Sequence, residues 1–108
     1  MTDADVELVK EAWPGRWELW RALGSDPIVG LPVCERLLWS VMVASRKGLI
    51  VVYASMNGRC LELATGIDIR STVKDAQSEL RRQVGVALDA LDGRLGTGAE
   101  AEREGATP

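Results

Sequence analysis

The 108-residue chain has no histidine, no phenylalanine, one tyrosine and only two cysteines. Without histidine it lacks the one side chain that ordinarily changes charge near neutral pH, and with it the commonest general base and metal ligand. Cys34 and Cys60 allow one bridge at most and match no metal-binding spacing. Long apolar runs are also missing: Arg46, Lys47 and Gly48 interrupt the longest, so no segment is expected to span a bilayer. The start, "MTDADVELVKEAW", is acidic and has no apolar signal core, so the expected location is the cytoplasm, with reduced thiols. An excess of basic charge is absent too. Thirteen Lys and Arg face sixteen Asp and Glu, a formal charge of −3, which does not describe a strongly basic nucleic-acid binder. The chain does not read as an enzyme, and neither a cofactor nor a metal is expected, because no nucleophile–base–carboxylate set converges.

What is present suits a small soluble domain: 46% of residues are hydrophobic and 27% charged. A single domain is expected over residues 1–95, with a disordered tail over 96–108. Charge is unevenly distributed. Residues 31–74 carry six bases against three acids, whereas residues 1–30 carry three against six and residues 75–108 four against seven. The middle is therefore locally basic on an acidic protein.

Periodicity predicts an α+β domain of mainly helical content. Val6, Val9 and Trp13 share a helix face over residues 4–13. Pro14 suits the first position of a second helix, over 14–23. Residues 33–46, "VCERLLWSVMVASR", place Val33, Cys34, Leu37, Leu38, Val41 and Ala44 on one face, which predicts a third helix ending at Gly48. Trp39 and Val43 then fall on the opposite face among charges, which makes them the candidate protein-contact residues. "LIVVYAS" and "CLELAT" flank Asn57-Gly58, a pair that tolerates the positive φ of a tight hairpin turn. The longest helical pattern is "STVKDAQSELRRQVGVALDALDGRL", residues 71–95. Val73, Leu80, Val84, Leu88 and Leu91 form its apolar stripe, and Ser71 or Thr72 is the expected cap, with Asp75 completing a capping box behind Thr72.

Three pieces, "ERLLWSVMVASRKGLI", "NGR" and "CLELATG", followed by the long helix, resemble a winged-helix regulator of the ArsR or MarR type. The resemblance implies a winged-helix-like fold, with residues 33–46 as the recognition helix, the hairpin as the wing and the C-terminal helix as a dimerisation helix. It further implies a small regulatory protein of transcription that binds duplex DNA as a homodimer. Arg36, Ser40, Arg46, Lys47 and Arg59 are then the candidate DNA contacts, because arginine forks suit guanine edges and phosphates. The competing expectation is a protein–protein interaction or inhibitor module, such as a small phage or accessory protein, without DNA binding or catalysis. It would bind its protein partner through Trp39 or through the tryptophans near the N-terminus.

Several features have plainer readings. Trp13, Trp17 and Trp20 fit a core short of other aromatics, or else a partner face. "STVK", residues 71–74, matches the Ser-x-x-Lys of serine acyl-transfer enzymes, but a helix cap beside a solvated lysine explains it. Cys34 and Cys60 could meet if the third helix lay on the hairpin, or serve as small buried hydrophobes. Asp89 and Asp92 lie one turn apart, and a solvated face is the expected role. "GRLGTG", residues 93–98, lacks the lysine and hydroxyl of a phosphate loop.

Overall fold

A computed structural model describes residues 1–21, 24 and 26–93. Helix α1 (Asp3–Ala12) leads into five strands: β1 (Glu18–Trp20), β2 (Ile28–Cys34), β3 (Trp39–Arg46), β4 (Leu49–Met56) and β5 (Arg59–Gly66). The long helix α2 (Ile69–Leu91) follows. The strands form one antiparallel sheet in chain order. Among the described residues helix and strand are nearly equal, at 39% and 38%, so the mainly helical, winged-helix-like expectation is corrected. The expected second and third helices do not form. Residues 18–20 are strand instead, and residues 33–46 are the end of β2, a turn over 35–38 and the whole of β3.

The reason is visible at Lys47-Gly48. Both residues have positive φ, 52° and 80°, and Arg46 pairs directly with Leu49 across them. This is the two-residue turn whose twist matches that of antiparallel strands. It brings eight residues of β3 into register with eight of β4. Asn57-Gly58 repeats the geometry, with φ of 52° and 82°, so the hairpin expected there forms as read. "SVMVASR" suits a strand as well as a helix, because Val41, Val43 and Ser45 also alternate. Pairing on both sides decides the ambiguity. Pro32 is tolerated in β2 because β1 pairs only with Ile28–Gly30, leaving no ladder partner on that side.

Alternation gives the sheet two faces. Val29, Val41, Val43, Ile50, Val52, Ala54 and Leu63 join Val6 and Val9 of α1 and Val73 and Ala76 of α2 in one buried cluster. Both helices therefore cover the same face. Trp17 is buried in this core, with its indole N–H donated to the Trp13 carbonyl at 2.8 Å and its ring edge-on to that of Trp13. Trp20 pairs with Ile28 on the opposite face, and its ring lies over Gly30 so closely that any Cβ there would collide with it. The three tryptophans thus share no helix face. Cys34 and Cys60 are both free. They end up in β2 and β5, about three strand spacings or ~14 Å apart, beyond the reach of a disulfide.

The cap of α2 lies three or four residues earlier than expected. Asp68, not Ser71 or Thr72, is the cap, and its carboxylate accepts from the Ser71 N–H at 2.9 Å. These hydrogen bonds hold the Asp68 carboxyl below its ordinary pKa. Thr72 is instead buried against Gly66. The expected tail, 96–108, and most of "GRLGTG" lie outside the described residues.

Two substitutions test these starts and turns. Gly48→Ala should destabilise the fold by about 1–2 kcal/mol, because an L side chain resists the left-handed conformation, as read from urea unfolding midpoints. Asp68→Ala should lower the unfolding midpoint in the same assay, while Asp68→Asn, also a good cap, should lower it much less.

Candidate functional site

The strands run alternately up and down, so the ends of the sheet differ. One end carries the 35–38 turn, the Asn57-Gly58 turn and the second half of α2; the other carries the Lys47-Gly48 turn and the start of α2. Eleven large apolar side chains are exposed among the described residues. All but Leu49 and Ile67 belong to the first end. Patches of this kind mark binding surfaces more often than they occur by chance on a monomer.

Their arrangement follows from register. On the helix-covered face, Trp39 pairs with Met56 and Met56 with Arg59; in the next row Val41 pairs with Ala54 and Ala54 with Leu61. α1 is only ten residues long and packs on β1 and on α2, away from these rows. α2 has 23 residues, about 34 Å of helix. Its buried residues, Thr72, Val73 and Ala76, all lie in its first third. Beyond Leu80 the same apolar stripe is uncovered: Val84 is 38% exposed, Leu88 54% and Leu91 47%. A cleft of about 310 Å³ opens between this part of α2 and the sheet, with an overwhelmingly apolar lining. Trp39, Met56 and Leu61 form its sheet wall, and Leu80, Val84 and Ala87 its helix wall. Arg59 and Cys60 stand at its edge.

The end of α2 is apolar beyond its stripe. From Val84 to Leu91 the only charged residue is Asp89, and Val86, two positions from both Val84 and Leu88, is 57% exposed. A helix apolar on more than one side is normally enclosed by other protein. The turn before it is polar and internally tied. Glu79 accepts from Arg82 and from Gln83, both at 2.7 Å. The Arg82 guanidinium, followed by the Gln83 amide, lowers the Glu79 carboxyl to about 2.

The sequence-derived residues fare differently. Trp39 is half-buried in the cleft, but Val43 is fully buried in the core and presents nothing to a partner. Of the expected dimer-helix residues, Val73 is fully buried in the chain's own core and Leu80 packs against it, whereas Val84, Leu88 and Leu91 are exposed. Arg36 and Arg59 lie at the cleft end. Arg46 and Lys47 lie at the far end of β3, seven residue steps or about 23 Å from Trp39. Arg46 sits over the Tyr53 ring, 5.8 Å from its centroid, on the face that no helix covers. Ser40 is half-buried and paired with Ser55 on that same outer face. The five proposed DNA contacts are therefore not gathered on one surface, and the segment that was to be their helix is turn at Arg36 and strand at Ser40 and Arg46. Ser71 of "STVK" belongs to the helix start, its hydroxyl 3.4 Å from the Asp68 carbonyl. Met56 and Leu61 were missed as site residues. The signal for them was the alternation of the hairpin, extended past the point where a helix could cover it.

The tied carboxylate gives a pH prediction. A carboxyl whose folded pKa is lowered contributes stability that is fully present above its ordinary value near 4.5 and is lost as pH falls through about 2. Glu79→Gln should therefore lower stability at neutral pH, flatten the profile between those two values and converge with the parent protein as pH approaches about 2, measured by urea unfolding at stepped pH.

No helix among the described residues is long and apolar enough to cross a membrane. Compared with protein-family models, with curated proteins and with solved structures, the chain matches none, so the reading of its function rests on this geometry.

Proposed function

We propose that the protein is a small, non-catalytic binding module that takes the apolar side of a helical protein segment into the cleft between α2 and the ends of β3, β4 and β5. One observation carries this reading: nearly all of its exposed large apolar side chains gather at that end, around a cleft whose walls are a helix and a sheet. Helix-in-groove recognition uses such a surface, with anchors spaced by three and four residues along the incoming helix. Trp39 and Met56 supply a broad contact and a compliant one, the two kinds of side chain over-represented where apolar partners bind. The division of Arg36 and Arg59 from Arg46 and Lys47 leaves no comparable support for a duplex DNA surface. Duplex binding draws on several cations engaging phosphates together.

The test uses Trp39 as the reporter. A leucine-rich amphipathic helical peptide, titrated into the full-length protein, should shift tryptophan emission, and Trp39→Phe should remove most of the shift. Leu61→Glu and Met56→Glu should each weaken binding at least about tenfold, since a charge would then be desolvated in an apolar cleft, with far-UV dichroism unchanged. Peptide binding that persists at full strength in both variants, or no binding at millimolar peptide, overturns the reading.

A further inference from the structure

Building on this reading, we infer that the helix seated in the cleft is the end of α2 from a second copy of the chain, so that the working form is a two-fold dimer in which each copy supplies both groove and helix. Three observations point to the occupant. The first is self-complementarity. The cleft lacks an apolar helix, and the segment Val84–Leu91 beside it is an apolar helix lacking an enclosure. A two-fold axis satisfies both needs twice with one contact, which is how isologous interfaces arise.

The second is charge. The groove end of the sheet offers Arg36 and Arg59, both exposed and without an ion pair among the described residues. The helix end offers Asp89 together with the negative C-terminal pole of α2. Antiparallel packing of two α2 ends carries the acidic end of one copy towards the basic edge of the other. The third is the composition of the remaining chain. Beyond Gly93 the sequence has one large apolar residue, Leu95, among five charged ones, a composition poor in the apolar anchors such a cleft takes.

Cys60, exposed at the edge of the cleft, gives a local readout. In a Cys34→Ser background, Cys60 alkylation should slow as protein concentration rises through the dimer dissociation constant. Sedimentation equilibrium of the full chain should show a dimer at micromolar concentration. Leu88→Glu should raise the dissociation constant by two orders of magnitude or more, and Arg59→Glu by about tenfold with a smaller salt dependence. Ile67→Glu, at the opposite end of the sheet, should change nothing. A chain that stays monomeric at tenths of a millimolar, or a dimer indifferent to Leu88→Glu with Cys60 equally reactive at all concentrations, overturns the inference. A monomer that still binds the helical peptide through Trp39 sinks the self-association and leaves the groove reading standing. Loss of both sinks the two together.

Discussion

The register of β3 on β4, set by two consecutive left-handed residues at Lys47 and Gly48, is the constraint on which the rest of the molecule depends. A slip of one residue would turn one strand over against the other, sending either Val41 and Val43 out and Ser40 and Met42 under the helices, or Ile50 and Val52 out and Val51 and Tyr53 under them. Serine or tyrosine there would bring a hydroxyl into a core where α1 and α2 offer mainly valine and alanine. The turn thus decides which face the helices can cover. That in turn decides where their coverage ends, and the cleft lies at that limit.

The same turn explains how much was legible in advance. Strong local signals survived: α1 forms over Asp3–Ala12, the Asn57-Gly58 hairpin forms, and α2 forms over Ile69–Leu91. Residues 33–46 were misread because their apolar residues satisfy two periods at once. Cys34, Leu37, Leu38, Val41 and Ala44 fit a helix, and Trp39, Val41, Val43 and Ser45 fit a strand. Only Lys-Gly followed by "LIVV" separated them, and a lysine at positive φ is not a usual turn marker. The winged-helix resemblance rested on that segment and fell with it. The cleft was half legible. Trp39 and the stripe of α2 stood out, but which part of the stripe is buried depends on the length of the strands beneath, and that is a tertiary quantity.

Helix α2 is best understood as two helices end to end. Its first part is held by Val73 and Ala76 in the core, by the Asp68 cap and by an exposed ion pair between Arg70 and Glu11 at 3.1 Å, which adds little. Its second part has the same apolar spacing without the same cover. Helical propensity alone holds short segments poorly in water, and Gly85 weakens this one further. Cover from another helix would therefore stabilise the last turns of α2 and bury the cleft walls in one step.

The paired strands β4 and β5 contain a further device in their register. Val52 faces Ala64 while Tyr53 faces Glu62, so Leu63 is an extra residue that turns inward beside Ala64. β5 is an edge strand of eight residues, long enough to template another strand. The bulge interrupts its row of hydrogen-bonding groups and increases the local twist. A sixth strand laid along β5 would find no continuous ladder at this edge. At the β5 edge, addition of a strand, the route by which flat sheets become fibrils, is disfavoured by a single residue that also fills the core.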